Sequence, residues 1–181
     1  YEEYKGLIEK FDKLKLEKED VLKLMFEIES RKQETFMKTF NLLERNFKEI
    51  FASLSTKGDA ELVIENPENL FEGGIDIRVR LASNKYIDVK GLSGGEKTLV
   101  AVAFLFAVQE FEPSWFYLLD EIDAALDKKN SELLSKLIAK YSTGAQYIVI
   151  THNDAIISES ETLYGVTMQD GVSKVMSMRV K

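Results

Sequence analysis

The chain has 181 residues, 45% of them hydrophobic, a net charge of −7 and no cysteine. That is enough for one sizeable domain with some residues left for an appendage, and it excludes a disulfide framework or a thiolate zinc site, so an intracellular protein is the simplest reading. No apolar run approaches the roughly 20 residues that cross a bilayer, YEEYKGLIEK is too charged for a secretory signal, and the negative charge lies almost wholly beyond Asp59, with 12 basic and 13 acidic residues up to it and 12 against 18 after it, which argues against strong DNA binding through bulk charge.

From Tyr4, a spacing of alternating threes and fours picks out Tyr4, Leu7, Phe11, Leu14, Lys18, Val21, Met25, Ile28 and Lys32. Seven of these nine positions are apolar and no proline interrupts them, which is the seam of a coiled coil. After Lys32 the frame slips to Phe36, Phe40, Leu43, Phe47, Ile50 and Leu54. Such a slip changes the supercoil locally and marks a place where a coil gives way to a helix packed on a domain. A single long amphipathic helix of a globular protein fits the pattern equally well. Its length of about 75 Å at 1.5 Å per residue overshoots a small domain and favours a protruding coil. Residues 1–54 are therefore read as a coiled-coil stem and 55–181 as a separate lobe.

Ser55-Thr56-Lys57-Gly58-Asp59 supplies a helix stop with the expected glycine. Short strands are predicted at Ala60–Ile64, Ile75–Leu81 and Tyr86–Val89. The middle one alternates Ile75, Ile77, Val79 and Leu81 with Asp76, Arg78, Arg80 and Ala82, a sheet face half in solvent, and Gly73-Gly74 and Ser83-Asn84 punctuate it. The arginines read as a solvated face.

Leu92-Ser93-Gly94-Gly95-Glu96-Lys97 then precedes an apolar segment from Thr98 to Val108, too uniformly apolar for an exposed helix. The reading is a Ser- and Gly-rich turn feeding a buried helix. Its glycines permit close backbone approach, Ser93 offers a hydroxyl and the helix start offers free N–H groups, together a candidate anion site.

After a break at Pro113-Ser114, Phe116 to Leu119 deliver two adjacent acids, Asp120 and Glu121. The apolar run fits a strand buried on both faces of a parallel sheet, and acids at its carboxyl end lie where open α/β sheets bind ligands. In nucleotide hydrolases an acid at this point holds Mg²⁺ and its neighbour polarises the attacking water; Asp120 is assigned to the metal and Glu121 to the base. Asp127 suits the N-cap of an amphipathic helix over 129–141, with Leu133, Leu134, Leu137 and Ile138 on one face. Gly144 closes that helix. Tyr147 to Ile150 form the next buried strand, leading into Thr151 and His152, the only histidine. A lone histidine is commonly structural. Two strands, Leu163–Met168 and Val172–Met178, close the chain across Asp170-Gly171, a strong hairpin signal.

LSGGEK, a strand ending LLDE, then AALD, then a strand running into Thr151-His152 together resemble the ABC-type ATPases, and DEIDAALD, without the Pro-Thr that usually continues the acid pair elsewhere, is similar to the structural maintenance of chromosomes (SMC) family. Phe71 to Gly74 match the FEGG-like turn of that family's heads. The resemblance implies an α/β fold, the C-terminal lobe of an ABC-type ATPase head with a mostly parallel sheet flanked by helices, plus antiparallel strands and the stem helix. It implies ATP and Mg²⁺ as cofactors, Asp120 in the metal shell, Glu121 and His152 in catalysis with His152 sensing the γ-phosphate, and Asp127 in a loop facing a partner head. Ser93, Gly94, Gly95 and Lys97 would act in trans on nucleotide held by an opposite head.

No G-x-x-x-x-G-K-[ST] occurs anywhere; in Gly95-Glu96-Lys97-Thr98 a carboxylate stands where a glycine should precede the lysine, and it would repel a phosphate. The resemblance explains the gap, because SMC proteins carry that Walker A loop in an N-terminal lobe reached through a long coiled coil. The implied partners are that lobe, a second head, a kleisin subunit for which the terminal hairpin is the surface to look at, and DNA through the assembled complex, with no membrane. The implied work is chromosome condensation, cohesion or segregation in the cytoplasm, at a nucleoid, and a Lys/Glu-rich composition without cysteine is compatible with a thermophilic prokaryote. Two alternatives are a lobe of a double-strand-break repair ATPase and a non-catalytic coiled-coil module carrying relic motifs.

Overall fold

A computed structural model describes residues 1–55, 58–81 and 85–180. Thr56, Lys57, Ser83 and Asn84, parts of the predicted turns, lie outside the described residues, as does Ala82 of the alternating strand pattern. The chain divides into two compact units, Tyr1–Leu42 and Leu43–Lys181. One helix, α1 (Glu2–Leu54), begins in the first and ends in the second.

In the first unit, the heptad positions Leu7, Phe11, Leu14, Val21, Met25 and Ile28 are all exposed. An apolar seam in solvent over this length is the condition that a second helix relieves in a coiled coil. Phe36 and Phe40, one turn apart after the slip, stack at 6.2 Å.

The last turns of α1 belong to the second unit and supply two of its three largest fully buried side chains, Phe47 and Phe51. Phe47, Ile50, Phe51 and Leu54 are buried, and Phe47 meets Phe104 edge to face at 6.1 Å. Three antiparallel strands follow, β1 (Asp59–Ile64), β2 (Ile75–Arg80) and β3 (Ile87–Asp88), in that order across the sheet. Ala60 pairs with Val79, and both are buried with Leu62. Gly58, at φ +95°, brings its backbone so close to the Arg80 carbonyl that no side chain would fit. The alternation read in β2 is only partly a burial pattern, since Val79 is buried while Ile75 at the strand's end is exposed. Arg80 is not simply solvated, because it pairs with Asp59 and lies over the Tyr86 ring.

A single 3-10 turn, Val89–Gly91, unforeseen in the sequence, is capped by Asp88, whose side chain accepts the Lys90 N–H at 2.7 Å. Then come α2 (Gly94–Phe111), β4 (Phe116–Asp120), α3 (Lys128–Tyr141), β5 (Gln146–Ile150) and α4 (Asp154–Glu159). Leu99, Val100, Val102, Ala103, Phe106 and Ala107 of α2 are buried, though Leu105, Val108 and Phe111 are exposed. Strands β4 and β5 pair in parallel, from Phe116 opposite Gln146 to Asp120 opposite Ile150, with α3 as the crossover that parallel strands require. Phe106 of α2 stacks on Tyr147 of β5 at 6.1 Å, Tyr147 stacks on Tyr117 of β4 at 5.1 Å, and Phe106 meets Tyr141 of α3 at 5.2 Å. Gln109 donates to the Tyr147 hydroxyl. Burial, with Glu110 accepting from its hydroxyl, pushes Tyr141 up to about 12.

The expectation that β4 and β5 are buried on both faces is corrected. Tyr117, Leu119, Tyr147 and Val149 turn to the helices, but on the opposite face Phe116 and Leu118 are each 62% exposed, Ile148 47% and Ile150 48%. The sheet has two strands with helices on one side, so nothing among the described residues covers that face. Trp115, the only tryptophan, precedes β4 and is 92% exposed. The chain closes with β6 (Thr162–Gln169) and β7 (Val172–Arg179), an antiparallel hairpin in which Asp170 (φ 53°) and Gly171 (φ 78°) take the two positive φ angles of a tight two-residue turn.

Truncating a fully buried phenylalanine removes transfer energy and leaves a cavity. Phe47→Ala should therefore destabilise the chain by about 3–5 kcal/mol, whereas Phe11→Ala, at an exposed seam position, should change it by less than about 0.5 kcal/mol; thermal or urea unfolding of the two variants side by side checks this.

Candidate functional site

Parallel pairing places the ends of β4 and β5 side by side, and the polar residues of both turns gather there. Asp120 is the last residue of β4, and Glu121 leaves it with its N–H donating to the Ile150 carbonyl at 2.9 Å, the last rung between the strands. Glu121 has φ 46°, a left-handed conformation that a side chain rarely adopts and that costs of order 1–3 kcal/mol. His152 stands two residues beyond Ile150, and its Nε2 lies 3.6 Å from Glu121 Oε1. Both side chains reach into solvent, His152 91% exposed and Glu121 55%. When His152 is protonated the two form an ion pair.

Beneath them the turns are tied by residues that the sequence reading did not single out. Thr151 Oγ1 donates to Asp123 Oδ2 at 2.8 Å and accepts the Asn153 N–H at 2.9 Å. Asp123 is buried. A buried Asp in an otherwise apolar Ile-Asp-Ala-Ala-Leu stretch was the available signal, since a buried polar group needs a partner. Asp127 caps α3, accepting the Asn130 N–H at 2.8 Å.

The LSGGEK turn opens α2 as a capping box. Ser93 is the N-cap; its hydroxyl donates to Glu96 Oε2 at 2.7 Å, its N–H donates to the same oxygen at 2.8 Å, and its Oγ accepts the Glu96 N–H at 3.4 Å. The Ser-x-x-Glu spacing carried this signal in the sequence. Glu96 is held below its ordinary value of 4.5, first by the Ser93 hydroxyl and then by the Ser93 N–H. Gly94 faces open space, but a Cβ on Gly95 would lie 2.8 Å from the Ala125 carbonyl oxygen. Within this chain Gly95 therefore lets the LSGGEK turn pack against the AALD loop. Lys97 is exposed, with its N–H on the Ser93 carbonyl at 2.9 Å.

As a metal site the acid turn is sparse. No group of three or more His, Cys, Asp or Glu among the described residues could hold an ion. Mg²⁺, however, takes oxygen ligands and is usually bound by one or two carboxylates together with phosphate oxygens and water. Asp120 offers one carboxylate of the kind such an ion takes, and the described residues of this chain do not cage it. Among the described residues, no helix is long and apolar enough to cross a membrane.

The family described as RecF/RecN/SMC N terminal domain matches residues 2–174. The chain belongs to that family. It is similar to the chromosome partition protein Smc of Pyrococcus furiosus, 46% identical over 178 residues, which are 98% of this chain and 15% of that protein. Among solved structures, the Smc head domain with an extended coiled coil from Pyrococcus furiosus, bound to the C-terminal domain of ScpA, matches 97% of this chain and 44% of its own, with 46% identity and a TM-score of 0.90. A chain solved in work on ATP-driven dimerization and DNA-stimulated activation of SMC ATPases matches 80% of this chain and 88% of its own, at 46% identity and a TM-score of 0.74. The expected α/β architecture, an SMC head with antiparallel strands, a parallel sheet and a long N-terminal helix, is the one these SMC heads share. This chain spans about one seventh of the Smc proteins it matches.

Two measurements probe the turn. Gly95→Ala should cost about 1–3 kcal/mol through its collision with a backbone carbonyl, while Gly94→Ala should leave the melting temperature within a degree or two; equal behaviour of the two would contradict the close approach to Ala125. Because the folded-state pKa of Glu96 is depressed, its ionisation stabilises the fold in full above 4.5 and the gain is lost as pH falls through the lower folded value. Glu96→Gln should therefore lower the melting temperature at neutral pH, and the gap to the parent should close under acid conditions; a gap independent of pH would count against the Glu96 contribution.

Proposed function

We propose that this chain is the C-terminal lobe of an SMC ATPase head that, together with an N-terminal lobe carrying the phosphate-binding loop, binds and hydrolyses ATP between two engaged heads in chromosome partitioning. The observation that carries the reading is the meeting of Glu121 and His152, 3.6 Å apart, at the carboxyl ends of two parallel strands, where open α/β sheets work on ligands. In the proposed roles, Asp120 holds Mg²⁺ in the Walker B position, and when bound the ion neutralises charge on the phosphates. Glu121 orients the attacking water and takes its proton. His152 donates to the terminal phosphate. Ser93, Gly94, Gly95 and Lys97 form the signature that meets nucleotide on the opposite head. For the Ser93 hydroxyl to donate to a phosphate, it must leave Glu96, so the capping box describes the lobe before engagement.

Two surfaces support an incomplete head. The uncovered apolar face of β4 and β5 suits burial beneath further elements, as parallel strands are usually covered on both faces, and the missing phosphate loop would come with them. The exposed seam of α1 suits the other arm of an antiparallel coiled coil. The β6–β7 hairpin, with Tyr164, Val166 and Met168 on one face and Met176 and Met178 on the other, all exposed, is the surface proposed for a kleisin, in keeping with the ScpA-bound head that the chain resembles. DNA would be reached through the assembled complex. A double-strand-break repair lobe is less well supported, because the similar proteins carry the Smc name.

The test is ATP hydrolysis by this chain alone and after mixing with the N-terminal lobe. Turnover is expected only in the mixture. Glu121→Gln should retain ATP binding and lower the rate by about 10²–10⁴-fold, the range of a positioned general base, and Ser93→Arg should abolish turnover. Normal turnover by Glu121→Gln would remove that residue from its role, and stable association without any turnover would favour a non-catalytic module.

A further inference from the structure

Glu121 and His152 are both exposed, so no packing around their side chains fixes their 3.6 Å separation. It is set by the two turns that carry them. One backbone bond joins those turns, from the Glu121 N–H to the Ile150 carbonyl. A side-chain bond joins them as well, from the hydroxyl of half-buried Thr151 to Asp123, which is 5% exposed. Asp123 lies two residues after Glu121, and Thr151 lies one residue before His152. The bond is therefore anchored next to each of the two exposed groups.

Each end is itself braced. The Asp123 carbonyl accepts the Leu126 N–H at 3.0 Å, and the Glu121 carbonyl accepts the Ala124 N–H at 3.1 Å, so the acid turn folds back on itself. Thr151 Oγ1 accepts the Asn153 N–H, and Asn153 in turn caps α4 by accepting the Ala155 N–H at 3.0 Å. The Thr151 hydroxyl thus uses its proton on Asp123 and a lone pair on the backbone just past His152. Valine, nearly the same shape, could do neither.

We propose that Asp123 and Thr151 are positioning residues for the hydrolytic pair: their hydrogen bond locks the acid turn to the histidine turn and sets the distance between Glu121 and His152. This rests on the ATPase reading of that pair. Misplacing a reacting group by about 1 Å can cost on the order of 10²-fold in rate, so a tether beneath exposed side chains has leverage on turnover without touching nucleotide.

The experiment uses the head reassembled from this chain and its N-terminal lobe. Thr151→Val and Asp123→Ala should lower kcat at least tenfold with the KM for ATP within twofold. Thr151→Ser and Asp123→Asn, which keep a donor and an acceptor, should stay within threefold of the parent. In a His152→Ala head, Thr151→Val should lower kcat by less than twofold more, because the partner it positions is gone; an equal fall in both backgrounds, or an unchanged kcat in Thr151→Val, overturns the proposal. A second readout needs no turnover. With histidine labelled with ¹³C at Cε1 in this chain only, His152 gives a single ring signal, which Glu121→Gln should shift in the parent head and leave in place in a Thr151→Val head. A shift of the same size in both heads, or none in the parent, also overturns the tether. If the parent head hydrolyses no ATP, the ATPase reading fails and the labelled-histidine comparison still decides whether the tether holds the two groups together.

Discussion

The five-residue parallel register between β4 and β5 is the constraint on which the rest of the C-terminal unit depends. Parallel strands cannot be joined by a tight turn, so α3 must carry the chain back before β5 begins. The same geometry brings both carboxyl ends to one edge. Glu121 and His152, 31 positions apart, are brought to the same edge by it, and a slip of one residue would exchange the face carrying Tyr117 and Tyr147 with the face carrying Leu118 and Ile148. The stack of Phe106, Tyr147 and Tyr117 opposes such a slip from the helical side.

The LSGGEK turn is joined to this edge by a different device. Gly95 packs against the Ala125 carbonyl, so the start of α2 and the loop before α3 meet through backbone at this point. Ser93 and Glu96 meanwhile satisfy each other at the head of α2. The region proposed to meet an opposite head thus packs closely at Gly95 and carries at Ser93 a hydroxyl that can change partners without unfolding the helix.

What could be read from the sequence was what repeats or carries a fixed local signature. The seam of α1, the Asp127 cap and the Asp170-Gly171 turn were legible because each depends on nearby residues, whereas the alternation in β2 predicted its burial only in part. The Asp123–Thr151 bond was not, because it joins two irregular turns 28 residues apart and no periodicity announces such a pair. The 3-10 turn at Val89 and the short helix α4 were missed for a similar reason: three and six residues are too few for a pattern to emerge. The burial of β4 was misjudged because four apolar residues in a row show that a strand is fit to be covered on both faces, but not whether both covers are made by the same chain. As for the candidate site, Glu121 and His152 were picked out from their positions in the sequence, yet their 3.6 Å approach and the left-handed backbone at Glu121 belong to the tertiary structure.

The uncovered side of β4 and β5 also makes the molecule its own reporter. Trp115 stands at the start of β4 next to Phe116, almost wholly in water, and there is no other indole in the chain. Exposed in this way, it should emit as a hydrated tryptophan, and a protein surface closing over the start of β4 should shift that emission to the blue. Assembly that covers the start of β4 is therefore open to optical detection, without a label and independently of nucleotide chemistry.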